Sequence, residues 1–372
     1  MAGVIEPEVH PMRAHHLAAL AAAAVLAIPA AAGAALPGTV AFQQERFDPE
    51  GGDLYVARAD GTSGAVQLTH APADPSQCLD GVCFAEAPDW LPDGSRIYFD
   101  SGWVPFVSLW SIKPDGTNAV QEPNITDFDG YPDLSKVGAL VAWDGTNADG
   151  SQAGIYIRPL GSTNATKLTS GPADGFDSSP DIAPDNSRVV FTRFHFPGER
   201  IEIWSVGTDG TGLQRLLSGG RRWGDPHFSP DGSKILVQAY DERANQGRNS
   251  NEYVINADGT GLRALTHEAN GSFAFSGDWS PDGEHIAYVR VKRGDDHLQI
   301  RSMDANGHDE SLIADCDFDK FCDNPSWGVY EGALPAAANA RIRSAHAAPR
   351  HHVSGRAAAK RLYRRVVRKL SR

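Results

Sequence analysis

Gly277-Asp-Trp-Ser-Pro-Asp-Gly-Glu-His-Ile-Ala-Tyr288 is one copy of a twelve-residue phrase that recurs along this 372-residue chain. Three other clear copies occupy residues 88–99, 180–191 and 226–237. Two weaker copies complete a series of six. The third residues of the six copies are separated by 44, 48, 46, 51 and 48 positions. They are Trp90, Leu134, Ile182, Phe228, Trp279 and Trp327. A repeat at this spacing indicates an architecture built from six similar units.

A second phrase accompanies the first in each unit, as in Glu202-Ile-Trp-Ser-Val-Gly-Thr-Asp-Gly-Thr211. In the Pro-Asp-Gly copies, an alternating apolar run ends in a turn, because Pro presets φ and Gly accepts the positive φ that follows. Each phrase therefore predicts a β-hairpin. Two hairpins in about 45 residues make four antiparallel strands, which is the size of a propeller blade.

The sequence Trp-Ser-Pro-Asp-Gly, followed by a strand of the Ile-Ala-Tyr type, resembles the WD40-like repeat of TolB-type six-bladed β-propellers. The resemblance covers residues 39–330. It implies an all-β fold of six four-stranded antiparallel blades in a non-catalytic protein that binds a partner at the cell envelope. In the family, the propeller holds a peptidoglycan-associated lipoprotein over its channel mouth. The family's separate N-terminal α/β domain has no counterpart in residues 1–38, so we expect general protein or peptide recognition.

The two ends of the repeat region complement each other. The last repeat stops after its first strand, at residues 325–329, whereas Thr39-Val-Ala-Phe-Gln43 matches the second strand of a unit. Residues 53–69 supply the third and fourth strands. We therefore expect the N- and C-terminal strands to share one blade, which removes the open edges of an incomplete ring.

Three regions follow from these boundaries. Residues 1–35 resemble a secretory signal peptide, with Met12 as an alternative start and basic Arg13 before the apolar run of residues 17–28. A retained N-terminal membrane anchor is the alternative. Residues 36–330 form the predicted propeller, and residues 331–372 form a basic tail rich in Ala and Arg. We expect a secreted protein, or one of the periplasm or cell envelope.

The basic tail contrasts with an acidic propeller. Residues 334–372 hold 11 Lys or Arg and no acid, so with a net charge of -13 the rest of the chain carries -13 - 11 = -24. Leu362, Val366 and Leu370 lie at helical spacing, which is typical of a helix on an anionic surface. A disordered tail and a tail folded back onto the propeller are the alternatives. We expect a monomer that does not bind nucleic acid, although basic charge alone does not exclude such binding.

The four cysteines fall in two close pairs, Cys78 with Cys83 and Cys316 with Cys322. Export makes disulfides the expected state. We expect a bond within each pair, with cross-pairing between the pairs as the alternative. Neither pair has the Cys-x-x-Cys spacing of redox and zinc sites.

The topology of a propeller assigns its two faces. The Pro-Asp-Gly and Ala-Asp-Gly turns emerge on one face, and longer, more varied loops emerge on the other, which we call the loop face. Binding residues usually lie on loops that a rigid scaffold positions. Aromatic and Arg side chains suit a protein or peptide partner. The alternative is that each aromatic residue caps its own blade. The partner-binding candidates on the loop face are Trp103, Phe106, Phe194, His195, Phe196, Arg200, Arg221, Arg222 and Trp223.

Acidic residues stand just before the predicted inner strands, where they would surround the mouth of the central channel. Such a ring could bind a basic peptide or a cation. Alternatively, these carboxylates accept hydrogen bonds from neighbouring backbone amides. The channel-mouth candidates are Glu86, Asp129, Tyr131, Asp177, Asp225 and Asp323.

Signals for metals and catalysis are weak. Asp315, Asp317 and Asp319 alternate as in a Ca²⁺ loop but lack the Gly and the final Glu of an EF-hand. There is no Gly-x-Ser-x-Gly motif and no cluster of histidines at metal-ligand spacing. We therefore expect no cofactor and no enzymatic activity. The alternative is a lyase or hydrolase that acts on acidic polysaccharide with a channel-mouth metal; His195, Arg221 and Arg222 would suit such a substrate.

Overall fold

The computed structural model describes residues 36–47, 50–72, 74–78, 82–103, 107–123, 125–147, 149–196, 200–241, 249–295, 297–316 and 320–335. These residues form 24 β-strands and one 3-10 turn, Pro75–Gln77. The predicted signal peptide and the tail beyond residue 335 lie outside the described residues. Within the described part of the chain, no helix is long and apolar enough to cross a membrane.

Strands from both ends of the described chain build the first sheet. It contains β1 (Thr39–Phe47), β2 (Glu50–Arg58), β3 (Val66–Gln67) and β24 (Phe321–Gly328). The strand order is β24-β1-β2-β3, and β1 pairs antiparallel with both β2 and β24. The expectation that the two terminal strands share a blade is therefore confirmed.

Three further four-stranded sheets follow along the chain. The first contains β4 (Ala85–Trp90), β5 (Ile97–Ser101), β6 (Ser108–Ile112) and β7 (Val120–Gln121). The second contains β8 (Phe128–Leu134), β9 (Leu140–Thr146), β10 (Gly154–Pro159) and β11 (Thr166–Lys167). The third contains β12 (Gly175–Ile182), β13 (Arg188–His195), β14 (Arg200–Gly207) and β15 (Gln214–Leu217). In each sheet the strands follow chain order.

The remaining strands form one eight-stranded sheet. Its first half contains β16 (Arg222–Phe228), β17 (Lys234–Asp241), β18 (Asn249–Asn256) and β19 (Arg263–Ala264). Its second half contains β20 (Phe273–Trp279), β21 (His285–Val291), β22 (Gln299–Asp304) and β23 (Ser311–Asp315). A single parallel pair, Ser250 with Phe273, joins the halves through β18 and β20. The prediction of an all-β propeller built from four-stranded antiparallel blades is confirmed.

The Asp of the Pro-Asp-Gly turns stabilises the turn itself. Between β16 and β17, Asp231 Oδ1 accepts a hydrogen bond from the backbone N–H of Ser233 at 3.0 Å. Gly232 has a φ of 69° and donates its N–H to the Ser229 carbonyl at 2.8 Å. Only Gly adopts such a φ without a steric cost. The repeated Asp in these turns is therefore explained by local structure.

The core lies between neighbouring sheets. Phe42, Phe275 and Phe321 are fully buried in one apolar cluster, where the rings of Phe275 and Phe321 stack at 5.9 Å. Each such side chain contributes about 1.5–3 kcal/mol through burial. Indole groups also connect the sheets, because Trp90 Nε1 donates to the Ser326 carbonyl at 3.1 Å. Packing and hydrogen bonds thus fix the inner strands, which carry the candidate site.

Candidate functional site

Six strands, β4, β8, β12, β16, β20 and β24, meet around one cavity that we call the channel. Each has a β-bulge with a non-glycine residue in the left-handed region, at a φ between 47° and 54°. Such a conformation costs roughly 1–2 kcal/mol per residue. The bulges expose backbone and side chains to the channel. The bulge residues, which also line the cavity, are Ala87, Tyr131, Ser179, Asp225, Ser276 and Asn324.

Side chains from a neighbouring sheet hold the backbone amides of the bulges. Gln43 Oε1 accepts the N–H of Ala87 at 2.9 Å. Thr192 Oγ1 accepts the N–H of Asp225 at 3.0 Å. Each bond connects two sheets and satisfies a donor that the bulge removes from its ladder. Thr192 directly follows the copy of the phrase at residues 180–191, so the repeat marks the position of the acceptor while its residue type varies.

Four carboxylates form a second layer between the bulges and the Pro-Asp-Gly turns, which we call the carboxylate ring. It consists of Asp89, Asp133, Asp181 and Asp278. Asp89 Oδ2 accepts the N–H of Leu134 at 2.6 Å, and Asp133 Oδ2 accepts the N–H of Ile182 at 2.7 Å. Asp181 and Asp278 make the corresponding bonds, at 2.8 and 3.0 Å, to the next inner strand along the chain. The recurrence of this Asp in the repeat was the available signal, but the phrase predicted only a β-hairpin and no contact of this side chain with the next strand.

His227 stands in β16 at the position that these aspartates occupy in β4, β8, β12 and β20, and Ser326 holds this position in β24. The Nδ1 of His227 lies 3.4 Å from Asp181 Oδ2, and its Nε2 lies 3.6 Å from Asp225 Oδ1. Burial lowers the pKa of His227, but the interactions with Asp181 and Asp225 outweigh burial and raise this pKa well above its usual value. The imidazolium is therefore charged at neutral pH and offsets part of the surrounding negative charge.

Three predicted channel-mouth carboxylates are bound within the protein. Asp129 accepts the backbone N–H groups of Ile125 at 2.7 Å and Thr126 at 3.1 Å. Asp177 forms a buried, bidentate pair with Arg193, at 2.6 and 2.8 Å. Asp323 accepts the Ser276 hydroxyl at 2.5 Å and the Asn324 N–H at 3.0 Å. The contacts of Asp129 match the alternative given above, in which a carboxylate accepts hydrogen bonds from neighbouring backbone amides.

Two further mouth candidates, Glu86 and Tyr131, belong to a larger acidic cluster around the bulge of β8, which includes residues that sequence reasoning missed. A Cβ on Gly130 would lie 3.4 Å from both Asp100 Oδ2 and Asp144 Oδ1, so these carboxylates flank one backbone position. Burial, with the charges of Glu86 and Asp144, raises the pKa of Asp100 well above its usual value. Burial raises the pKa of Asp144 to about 7. Burial is the largest cause of a raised pKa of Tyr131, and the same negative charges raise it further. This cluster is therefore partly protonated at neutral pH.

Two tryptophans expected on the loop face pack against their own sheets. Trp223 is 2% exposed, and its Nε1 donates to the Gly219 carbonyl at 3.0 Å. Trp103 is partly buried, edge-on to Phe99 at 5.6 Å and to Trp110 at 5.3 Å. Both indoles fit the alternative in which an aromatic residue caps its own blade, and neither is exposed for contact with a partner. Phe106 lies outside the described residues.

An exposed aromatic surface instead lies at the β12–β13 end, and we call it the phenylalanine patch. Phe176 is 39% exposed and Phe196 is 43% exposed. The ring of Phe176 stacks on Phe194 at 4.6 Å and lies 6.0 Å from Phe196. Phe194 and Phe196 were predicted. Phe176 was missed, because it belongs to an inner strand and was not counted among the loop residues.

Basic candidates near this patch are held by acidic partners. His195 Nδ1 lies 2.9 Å from Asp174 Oδ1, and its Nε2 lies 3.4 Å from Glu202 Oε2. The Nε of Arg200 lies 3.5 Å from Glu202 Oε1, while the Arg200 side chain remains 55% exposed. His195 and Arg200 therefore share one buried carboxylate, and Arg200 keeps a face toward solvent.

The two other arginine candidates cover aromatic rings. The guanidinium of Arg221 lies 5.8 Å from the centre of the Trp223 ring and 5.2 Å from that of Tyr253. The guanidinium of Arg222 lies 5.6 Å from the Tyr240 ring. Such cation–π contacts are worth about 0.5–1 kcal/mol at exposed sites. These contacts give both arginines a packing role.

Disulfides join Cys78 to Cys83 and Cys316 to Cys322, so the bonds form within each pair. Asp315 Oδ1 contacts His297 Nε2 at 3.2 Å and Gln299 Nε2 at 2.8 Å. The other two residues of the weak Ca²⁺ candidate, Asp317 and Asp319, lie outside the described residues.

Among the described residues, the one group of three potential metal ligands lies away from the channel. It comprises Asp282, Glu284 and His285, at the turn between β20 and β21, and it contains a single histidine. His195, His227 and His267 belong to no such group within the described ranges. Convergent histidines at the channel mouth, which the lyase alternative requires, are not found in the part of the chain that the structure describes.

A sequence model of the TolB beta propeller domain (PD40) matches residues 115–330. The chain belongs to this family. Among solved structures, TolB from Acinetobacter baumannii superposes with a TM-score of 0.61 at 17% identity, covering 78% of this chain and 66% of that chain. A putative TolB from Agrobacterium tumefaciens gives a TM-score of 0.54 at 17% identity, covering 78% of this chain and 99% of that chain. An uncharacterized protein of Agrobacterium fabrum is 27% identical over 252 residues, covering 55% of this chain and 84% of the relative.

The channel of this TolB-family propeller is narrow. Its cavity has a volume of about 50 Å³, and five of its lining residues are Asp89, Asp133, Asp225, His227 and Asp278. A cavity of this size holds water or a single small group, because drug-sized ligands occupy pockets of about 300–1,000 Å³. A larger ligand would therefore have to bind outside the channel.

Proposed function

We propose that this protein is an exported, non-catalytic β-propeller of the cell envelope that recognises a protein or peptide on its loop face. Membership of the TolB propeller family supports this function. Two disulfides support export, because such bonds persist in oxidising compartments. We also propose a ring of six blades, in which the eight-stranded sheet is two blades joined by the single Ser250–Phe273 pair.

The phenylalanine patch carries the proposal. Exposed aromatic rings that stack on each other mark binding surfaces, because their burial by a partner gains apolar contact at low entropic cost. Phe176 and Phe196 expose 39% and 43% of their surface. They also lie at one end of the sheet rather than scattered over the surface.

The patch adjoins the acidic cluster of the channel mouth. Phe176 and Ser178 lie two positions apart in β12, a distance of about 7 Å along a strand. The Ser178 hydroxyl donates a hydrogen bond to Asp144 Oδ2. An apolar surface and an acidic surface therefore meet on one strand. This combination suits a partner segment with a basic side chain close to an apolar one.

The test compares partner capture from an envelope extract by three forms of the full-length protein. Wild type is compared with the Phe176→Ser/Phe196→Ser double variant and with Leu213→Ser. Leu213 is the matched control, because it is 48% exposed and lies in the turn preceding β15. We expect wild type and Leu213→Ser to retain the same partner and the double variant to lose it. Equal capture by all three forms, or capture by none, would contradict the proposal.

The polysaccharide lyase alternative has its own assay. Full-length protein is incubated with polygalacturonate and Mn²⁺, and unsaturated product is followed by ultraviolet absorbance. We expect no product. Product formation that disappears with chelator would replace the binding proposal by an enzymatic one.

A further inference from the structure

The described chain ends on the face of the Pro-Asp-Gly turns, opposite the loop face. Leu334 packs against the apolar cluster that includes Trp90 and Ile112, in the sheet of β4–β7. A Cβ on Gly116, in the turn between β6 and β7, would lie 3.6 Å from Pro335 Cγ. These contacts fix the point from which the basic tail starts.

The tail ends in a stretch that combines positive charge with apolar side chains. Residues 356–372, which we call the basic segment, hold eight Lys or Arg and no acid. Leu362, Val366 and Leu370 recur within it every four positions. A helix would place such residues on one face, about 6 Å apart along its axis. The segment therefore has the composition of a ligand for a surface that is both apolar and acidic.

The phenylalanine patch matches the spacing of these apolar residues. The rings of Phe176 and Phe196 are 6.0 Å apart, and both are exposed. Two side chains that lie four positions apart on a helix can therefore contact one ring each. Phe194 stacks on Phe176 at 4.6 Å and supports the ring from beside it.

Negative charge borders the patch. The Asp174 carbonyl accepts the N–H of Phe196 at 2.6 Å, and the Asp174 side chain is 55% exposed. The hydrogen bond with His195 lowers the pKa of Asp174, so this carboxylate is charged at neutral pH. The exposed cation beside the patch, Arg200, already has the buried Glu202 as its partner. Together with the acidic cluster of the channel mouth, this border favours a basic ligand.

The chain is long enough to bring the basic segment to the patch. Residues 336–361 are 26 residues, which span about 86 Å when extended. An eight-residue strand such as β12 is about 26 Å long, and two steps of about 10 Å between packed sheets lead from the β4–β7 sheet to the β12–β15 sheet. The path therefore uses roughly half of the available length. Because the connection is covalent, the effective concentration of the segment is of the order of millimolar, and a weak contact suffices.

We propose that the basic segment of this chain binds the phenylalanine patch. Its apolar residues contact the exposed rings, and its basic side chains face Asp174 and the acidic cluster of the channel mouth. The inference rests on the proposed function, because it fills the proposed partner surface with a segment of the same chain. An outside partner must displace this segment, which lowers the apparent affinity of the patch without abolishing binding.

Carbodiimide cross-linking of the purified full-length protein tests the contact, because this reagent joins an ammonium to a carboxylate that touches it. The lysines of the basic segment are Lys360 and Lys369. We expect peptides in which one of them is joined to Asp174 within a single chain. Their yield should not change on dilution, since the contact is intramolecular.

Variants on both sides of the contact identify its cause. Phe176→Ser/Phe196→Ser should lose the cross-linked product, whereas the matched control Leu213→Ser should keep it. A product that the double variant leaves unchanged, or one that forms only between chains, would overturn the proposal. Absence of the product in wild type would overturn it too, and binding of wild type to phosphatidylglycerol vesicles would then assign the basic segment to a membrane surface.

The tail offers its own matched pair of variants. Leu362→Ser/Val366→Ser/Leu370→Ser keeps every charge of the tail and should lose the product, because the apolar contact is removed. Val353→Ser, outside the basic segment, should keep it. Retention of the product in the triple variant would mean that charge alone attracts the tail, which would also overturn the proposal.

Competition measures the occupancy of the patch directly. A fluorescent peptide of residues 356–372 is titrated with full-length wild type and with the triple Ser variant. We expect the peptide to bind the variant about tenfold more tightly, because a resident segment at ten times its dissociation constant lowers the apparent affinity by about that factor. Equal affinities, or no binding to either form, would overturn the proposal. None of these experiments uses an envelope extract, so their failure and the failure of partner capture are distinguishable.

Discussion

Asp89 Oδ2 accepts a hydrogen bond from the backbone N–H of Leu134 at 2.6 Å, although 45 positions separate the two residues. The separations are 49 residues for Asp133 and Ile182 and 47 for Asp181 and Phe228. Each separation is about one repeat, so a side chain in one unit satisfies the backbone of the next. Neighbouring sheets are therefore coupled through specific polar bonds as well as through packing.

Loss of the Asp89 acceptor should weaken the coupling between sheets. Asp89→Ala leaves the Leu134 N–H and the Ser326 hydroxyl without this partner. We expect a loss of about 1–3 kcal/mol in the free energy of unfolding, measured by urea denaturation. Asp89→Asn is the control, because its amide oxygen still accepts, and it should lose less. Equal losses in the two variants would show that the hydrogen bond is not the cause.

Glu252 predicts a pH dependence of stability. It is fully buried, and burial, followed by the charge of Asp225, raises its pKa from 4.5 to about 8. Above pH 4.5 the unfolded chain loses a proton that the folded protein keeps, so this group lowers stability as pH rises toward 8. Glu252→Gln should flatten this fall and be more stable than wild type at pH 8.

The measurement is the free energy of unfolding at pH 5, 6.5 and 8. Glu284→Gln, at an exposed position, serves as the control and should follow the wild-type curve. A Glu252→Gln curve that parallels wild type across this range would mean that Glu252 titrates normally in the folded protein.

Each of the two disulfides should contribute separately to the stability of the folded protein. Each closes a small ring, which stabilises by about 2 kcal/mol in the chain-entropy treatment. We expect Cys78→Ser/Cys83→Ser to melt at a lower temperature than wild type, and reductant to lower it further through the remaining Cys316–Cys322 bond. Non-reducing peptide mapping of wild type provides the check. Peptides that join Cys78 or Cys83 to Cys316 or Cys322 would contradict local pairing.

The phenylalanine patch should be removable at little cost to the fold. Phe196 is 43% exposed, so Phe196→Ser should change the unfolding free energy by no more than about 0.5 kcal/mol. Phe191→Ala, at a fully buried position of β13, should lose about 3–5 kcal/mol. A large loss in Phe196→Ser would indicate that the ring supports the sheet, and binding defects of that variant would then have a structural cause.

The repeats predicted the strands because their signals are local. Alternating apolar residues and Pro-Asp-Gly turns determine a hairpin within about a dozen residues. The match of Thr39–Gln43 to a second strand also predicted the pairing of β1 with β24. The pairing of Cys78 with Cys83 could be predicted because the two residues are close along the chain.

The site depended on relationships between sheets, which one sequence does not display. Gln43 and Thr192 occupy equivalent positions in second strands and accept the amides of Ala87 and Asp225, but their contact with the next sheet is not visible in the sequence. Trp223 is buried because its ring folds toward Tyr253, at 5.3 Å, and sequence does not give the direction of a loop side chain. The carboxylate ring was visible as a repeated Asp, but its contacts with the next unit were not.

The shared blade also affects the order of events during synthesis. Asn324 Nδ2 donates to Gln43 Oε1 at 3.1 Å across 281 residues of chain. At 5–20 residues per second, a ribosome needs roughly 14–56 s to supply the second partner after the first. During that interval β1 has an unpaired edge, which can pair with other chains. The speed of translation therefore sets the earliest moment at which the ring can close, and chaperones would have the longest access to the edge of β1.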